Sequence, residues 1–273
     1  MPVLYVVATP IGNLEDVSLR ALRVLRQVKL IAAEDTRITR RLLNAYKIKT
    51  RLTSYHEHNK RAKLGYLLDC LKEEDVALVS EAGMPGLSDP GYELIVAAIE
   101  HGISVVPVPG ASAAVTALVV SGLPANQFLY LGFLPRRQGE RQRLLQSVAD
   151  ETRTIVVFEA PHRLSKTLED ALKIFGDRKL AVCRELTKVH EEVFRGRLSQ
   201  ATEHFAQPRG EFTLVIEGKM LEQPEISEQL ETELCELYRQ GTGAREAVAL
   251  LSQASGVSKK KLYQAWLKLT EGG

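Results

Sequence analysis

Three times within its first 115 residues the chain passes from a short apolar run into a loop of Gly and Pro, then into a helix-compatible segment. The loops read Val7-Ala-Thr-Pro-Ile-Gly-Asn-Leu14, Ser80-Glu-Ala-Gly-Met-Pro-Gly-Leu-Ser-Asp-Pro-Gly91 and Val106-Pro-Val-Pro-Gly-Ala-Ser-Ala113. The runs before them, Leu4–Val7, Val76–Val79 and Ile103–Val106, have the length and composition of buried strands. Repeated alternation of strand and helix requires crossovers and builds a largely parallel sheet. Ligands bind such sheets at the carboxyl ends of the strands, where Gly and Pro let the main chain approach closely in a fixed turn. A small-molecule site at one sheet edge is therefore expected.

The sequence narrows the ligand. It contains no G-x-x-x-x-G-K-[ST] loop, which disfavours a nucleoside triphosphate held in the P-loop manner. The G-x-G at Gly241-Thr-Gly243 lacks a third glycine and follows a helical pattern rather than a strand, so it reads as one helix ending and another starting. Loops of Pro and Gly without lysine suit a ligand held by backbone groups.

Three units are expected. Residues 1–120 form an α/β domain carrying the ligand loops, with strands at Val3–Ala8, Leu30–Ala33, Arg51–Ser54, Val76–Ser80 and Ile103–Val106. Gly122-Leu-Pro-Ala-Asn126 is turn-rich. Residues 121–220 form a second α/β unit whose later strands lie close together, which predicts a mixed sheet. Residues 221–273 read as helix throughout, with helices at Glu225–Arg239, Ala244–Ala254 and Ser258–Leu269, the last two resembling a helix-turn-helix. Cys70, Cys183 and Cys235 are odd in number and flanked by apolar residues, as buried free thiols would be. No secretory leader opens the chain and no apolar run approaches the ~18 residues of a membrane span, so a cytoplasmic protein is expected.

The net charge of +2 conceals an imbalance, because Thr36–Lys63 holds nine basic residues and one acidic residue. A second cluster, Arg136, Arg137, Arg141 and Arg143, follows in the next domain. One such run is ordinarily a solvated helix face. Two beside the same loops predict a polyanionic substrate, most economically nucleic acid. Lys259-Lys-Lys261 heads a helix, against the macrodipole, where phosphate contact and simple helix packing are both open.

Four clusters carry possible chemistry. Glu34-Asp35-Thr36-Arg37 ends a strand and opens a helix, where Asp35 or Thr36 also suits a cap. His56-Glu57-His58-Asn59 has the spacing of a metal pair, but no further ligands accompany it, and no metal is expected. Phe158-Glu-Ala-Pro-His-Arg163 and Arg184-Glu-Leu-Thr-Lys188 place charged groups at strand ends of the second domain.

These segments, with Ala8-Thr-Pro-Ile-Gly-Asn-Leu14, Ala33-Glu-Asp-Thr-Arg37 and Gly132-Phe-Leu-Pro135, resemble the ribosomal RNA small subunit methyltransferase I family of the tetrapyrrole methylase superfamily. The likeness runs in order from the N-terminus to about Gly218. It implies two α/β domains of the class III methyltransferase type, here followed by a helical appendage, with S-adenosylmethionine between them. It further implies a homodimer and 2′-O-methylation of a cytidine ribose in the decoding region of 16S rRNA in the small ribosomal subunit. By matching motif, the cofactor contacts would be Pro10, Gly12, Gly83, Met84, Pro85, Asp89, Gly110, Ala111, Ser112, Phe158 and Glu159. RNA contacts would be Arg40, Arg41, Asn59, Lys60, Arg61, Arg136, Arg137, Arg163 and Lys188. Where the family usually reads Asp-Ala-Gly-Thr-Pro, this chain has Glu81-Ala-Gly-Met84-Pro85, an added methylene and a lost hydroxyl. A tetrapyrrole or other small-molecule methyltransferase shares the loops without needing the basic segment, and an RNA-binding module shares the charge without needing the loops.

A sulfonium methyl is already activated, so positioning supplies most of the rate and a general base assists the hydroxyl. Glu34, Asp35, His56 and Glu185 are the candidate bases. His56 has the natural pKa for the task, while Asp35 and Arg37 are expected to orient the substrate.

Overall fold

The computed structural model describes residues 2–220 and 225–271, which divide into two compact units, one ending at Lys219 and one beginning at Met220. In the first unit, β1 (Val3–Val7), β2 (Leu30–Ala33), β3 (Arg51–Ser54), β4 (Val76–Val79) and β5 (Ser104–Val108) form a sheet ordered β3-β2-β4-β1-β5. Every pairing in it is parallel. Parallel sheets need cover on both faces, and the side-chain period of two supplies it. Val7, Ile31, Ala33, Ala77 and Val79 pack under α1 (Leu19–Gln27) and α2 (Thr36–Ala45). Leu4, Leu30, Ala32, Val76 and Leu78 pack under α3 (Lys60–Cys70) and α4 (Tyr92–Glu100).

The second sheet is ordered β6-β7-β10-β8-β9, from β6 (Phe128–Phe133), β7 (Thr154–Glu159), β8 (Lys179–Arg184), β9 (Glu192–Arg197) and β10 (Phe212–Ile216). It is mixed, as expected: β6 and β7 are parallel, and the other pairs antiparallel. α7 (Pro161–Phe175) and α8 (Leu198–His204) cover one face through Ile155, Val157, Leu214 and Ile216. The other face, with Val156, Ala181 and Val215, is covered by Ala114, Ala117 and Leu118 of α5 (Ala113–Ser121). Because α5 leaves the first sheet directly from β5, this packing ties the two α/β halves into one unit.

Several local expectations shift for identifiable reasons. α2 begins at Thr36 because the Asp35 carboxylate caps it, accepting from the amides of Arg37 and Ile38. α6 (Gln138–Ser147) carries Arg141, which does not belong to a basic surface. It is 3% exposed and ion-paired at 2.6 Å with buried Asp170 of α7. Only Cys183 is a buried thiol; Cys70 and Cys235 are half-buried.

The second unit packs α9 (Glu228–Arg239), α10 (Ala244–Ser255) and α11 (Lys259–Glu271) around Leu234, Val248, Leu262 and Trp266. The expected start at 221 lies outside the described residues. α9 begins at Glu228 rather than Glu225 because the Ser227 hydroxyl accepts from the Leu230 amide. Gly256, in the left-handed region at φ 72°, ends α10 and turns the chain into α11. Among the described residues no helix is long and apolar enough to cross a membrane.

Candidate active site

The three Gly/Pro loops leave β4, β1 and β5, which are adjacent strands, so they meet at one edge. Two hydrogen bonds join the first two loops: the Thr9 amide donates to Gly83 O at 2.9 Å and the Gly83 amide to Thr9 O at 3.1 Å. Gly83 sits at φ 77°, where glycine escapes the Cβ penalty. A Cβ on Gly110 would stand 2.9 Å from the Ala8 Cβ, so close approach of the third loop to β1 also requires glycine.

The second sheet completes the site from the opposite side. Its central strand β10 runs against β7 and β8, and Phe212 pairs with both Glu159 and Arg184. The start of β10 therefore lies at the same edge as the ends of β7 and β8. A bulge at Tyr130/Gly132 in β6 lets Ser88, itself at φ 66°, reach the Tyr130 hydroxyl at 2.6 Å. The first loop seats against the Leu186–Lys188 segment at Gly12, where a Cβ would meet Leu186 O at 2.9 Å.

Between these surfaces lies a cavity of about 490 Å³. Of the residues expected to bind cofactor, Gly83, Met84, Asp89, Ser112, Phe158 and Glu159 line it. Pro10, Gly12, Pro85, Gly110 and Ala111 lie in the flanking loops and shape it without lining it. Phe133 and Phe158 meet edge to face at 5.6 Å and form an aromatic wall. Glu81, Glu211, Cys183 and Thr213 also line the cavity; Glu81 lies in the second Gly/Pro loop, and no motif placed the other three there. The last three were hidden because the antiparallel register of β10 is not written in any local motif; Glu81 stood out only as a departure from the family pattern.

The charged groups differ in what remains free. Asp35 caps α2 and binds Arg37 at 2.7 Å, and that hydrogen-bonded pairing holds its carboxyl at about 2. Burial, then the neighbouring Glu34, push the Asp89 carboxyl up to about 7. Burial also raises Glu81, helped by the negative charges of Glu34, Asp35 and Glu211. The Glu34 carboxylate lines the cavity and accepts the Glu81 amide at 3.1 Å. Glu159 is spent inside the protein on the Thr167 hydroxyl at 2.6 Å, the Ala160 amide and Arg163. Burial acts to raise Glu185, but the Glu211 amide and Lys188 outweigh it and hold the carboxyl below its usual range. Glu185 and His56 are not among the cavity-lining residues. His56 follows the edge strand β3, with its Nδ1 buried and unpartnered. Burial holds the Cys183 thiol up at about 11, which makes it a poor nucleophile.

Outside the cavity, α2 presents Arg37, Arg40, Arg41 and Asn44 on one exposed face at helical spacing. Arg61, Arg136 and Arg137 are exposed as well. Other residues expected to meet RNA are occupied internally. Lys60 binds Glu57 at 2.8 Å and Glu93. Asn59 closes its own turn onto the His56 amide and Ser54. Arg163 donates to the carbonyls of Leu134 and Pro135, and Lys188 is held by Glu185 and Glu211. Among the described residues no group of three or more His, Cys, Asp or Glu side chains is arranged to hold a metal ion.

The sequence profile of the Tetrapyrrole (Corrin/Porphyrin) Methylases matches residues 3–202. A ribosomal RNA small subunit methyltransferase I from Halalkalibacterium halodurans is 48% identical over 272 residues, 96% of this chain and 94% of that one. The chain belongs to this family. A Thermotoga maritima relative of the same name is 52% identical over 219 residues, 79% of this chain and 98% of its own. Among solved structures, the uroporphyrin-III C-methyltransferase from Thermus thermophilus complexed with S-adenyl homocysteine shares the fold. It is 19% identical, with a TM-score of 0.59, over 80% of this chain and 97% of that one. The cavity has the character of a small-molecule site. Its volume falls within the range of small-molecule sites, its aromatic wall suits a purine, and its carboxylates suit a cation.

Proposed function

We propose that this chain is an S-adenosylmethionine-dependent methyltransferase that methylates the 2′-hydroxyl of a cytidine ribose in the decoding region of 16S rRNA, in the small ribosomal subunit. The observation that carries the RNA reading is the exposed face Arg37, Arg40 and Arg41. It begins beside Glu34 and Glu81, at the cavity, so a polyanion lying along α2 would bring a ribose to the cavity mouth. An anionic small molecule would need no such extended stripe. The names of the relatives support ribosomal RNA of the small subunit as the substrate.

Bound S-adenosylmethionine supplies a methyl group activated on sulfur. The protein holds it with the loops at Pro10–Gly12, Gly83–Asp89 and Gly110–Ser112 and with Phe158, while Glu159 braces the wall by fixing Arg163 and Thr167. Asp35, by fixing the Arg37 guanidinium, orients the phosphate backbone. Arg40, Arg41, Arg61, Arg136 and Arg137 add charge that attracts RNA. Placing the hydroxyl in line with the methyl carbon supplies most of the rate.

The same reading makes the protein cytoplasmic, where ribosomal subunits are found, and a homodimer. Support for the dimer comes from Val115 and Val119, one turn apart on α5 and 51% and 70% exposed, an apolar face of the kind that associating proteins cover. The test is to incubate the protein with methyl-labelled S-adenosylmethionine and either unmodified small subunits or an anionic tetrapyrrole. RNA labelling that falls steeply with salt supports the reading, and labelling of the tetrapyrrole alone overturns it.

A further inference from the structure

Five carboxylates line the cavity: Glu34, Glu81, Asp89, Glu159 and Glu211. Hydrogen-bond accounting separates them. Glu159 is consumed by Thr167, Ala160 and Arg163, and Glu211 is paired with Lys188 at 2.8 Å. Glu34 already accepts the Glu81 amide. Asp89 is the more deeply buried of the remaining two and lies beside the Ser80 hydroxyl. Only the Glu81 carboxylate lacks a hydrogen-bond or ion-pair partner among the described residues while also being exposed on the side where α2 starts.

Resting on the function proposed above, we propose that Glu81 is the general base that takes the proton from the attacking ribose 2′-hydroxyl. It occupies the junction the reaction needs, with the methyl-donor cavity on one side and Arg37, the first residue of the basic face, close enough on the other for its charge to be felt. In the step, the O–H bond breaks and its proton passes to Glu81. The oxygen electron pair forms the bond to the methyl carbon. The carbon–sulfur bond breaks with its pair returning to sulfur, which becomes a neutral thioether, and Glu81 then releases the proton to water.

The surrounding charges favour this role. Glu34 at the end of β2, Glu211 before β10 and Asp35 at the cap of α2 are negative and raise the basicity of Glu81, while Arg37 on α2 opposes them. Asp35, held at about 2, and Glu185, held low, are weak bases by comparison.

The test uses Glu81→Gln and Glu81→Asp in the full chain. Carbon-13 NMR of carboxyl-labelled protein, assigned by the resonance lost in Glu81→Gln, should place the Glu81 titration above that of glutamates with no acidic neighbours. In single turnover on small subunits, Glu81→Gln should slow methyl transfer by about 10²–10⁴-fold and lose the rise in rate with pH. Melting temperature should stay near wild type, and Glu81→Asp should restore the pH-dependent rise. A Glu81→Gln rate within threefold of wild type, with the rise intact, overturns the assignment and leaves the proposed function standing. A wild-type chain that methylates no RNA overturns that function and the assignment with it.

Discussion

Gly12 is a point of close contact between the two α/β halves, and Gly12→Ala tests whether that contact shapes the cofactor site. A methyl there would stand 2.5 Å from Lys188 Cγ, 2.7 Å from Thr187 Oγ1 and 2.9 Å from Leu186 O. Carbon atoms rest about 3.5–4.0 Å apart, so the Lys188 stem must retreat by about 1 Å and the carbonyl by several tenths. Neither neighbour gives easily. Lys188 is anchored through Nζ to Glu185 and Glu211, and Thr187 already holds a left-handed backbone at φ 67°. Overpacking of this kind costs about 1–3 kcal/mol, which lowers Tm by about 2–12 °C in a unit of this size. Ile11 and Leu186, on either side of the contact, both line the cavity. A displacement of about 1 Å there should lower kcat/KM by up to about 10²-fold. Calorimetric melting and titration with S-adenosylmethionine read both effects. An alanine variant with unchanged Tm and unchanged cofactor Kd would refute the contact and the cavity geometry built on it.

Other substitutions probe separate parts of the account. Arg141→Ala should cost about 3–5 kcal/mol, because Asp170 is left charged and buried; the double change Arg141→Met with Asp170→Leu should be much milder, and equal urea midpoints for the two would contradict the pairing. At Asp89 the folded carboxyl titrates at about 7 against 3.8 for a free one, so between those values the unfolded chain ionises first and stability is lost as pH rises. The full shift corresponds to about 4 kcal/mol, which partial exposure reduces to about 1–2 kcal/mol. Asp89→Asn should therefore flatten the fall in apo-protein Tm between pH 5 and pH 8, and a parallel fall in both proteins would count against a raised Asp89. Replacing Arg40 and Arg41 by Ala should weaken subunit binding and reduce the slope of log affinity against log salt by about 1.4–1.8, with cofactor affinity unchanged. The exposed Lys259 and Lys260 at the head of α11 give the same test for the helical unit, where an unchanged slope would exclude it from RNA contact.

What the sequence made legible follows the range of the signal. Strands buried on both faces, such as Val76–Val79, are continuous apolar runs, and Gly/Pro loops mark where they end; both are local, and both placed the loops that meet at one sheet edge beside the cavity. Pairing across the second sheet is not local. Nothing near Phe212 says that β10 inserts between β7 and β8, so Cys183, Glu211 and Thr213 were not foreseen in the cavity. Charge was legible as a sum and not as individual roles. The run from Arg37 to Lys63 reads as one basic segment, yet Lys60 is bound by two carboxylates while Arg40 and Arg41 are exposed. Arg141 looked like part of a surface cluster because its partner, Asp170, lies a helix away. Glu81 stood out in the sequence only as a departure from the family pattern; its open lone pairs are visible only once its neighbours' hydrogen bonds are assigned.

The most direct test of the whole account is to map the transferred methyl. Small subunits lacking the modification are incubated with the protein and labelled S-adenosylmethionine, and the RNA is then cleaved with alkali, which spares the bond after a 2′-O-methylated ribose. The account predicts label at one cytidine of the decoding region, within an alkali-resistant dinucleotide. Label on a base, or spread over many riboses, would contradict it.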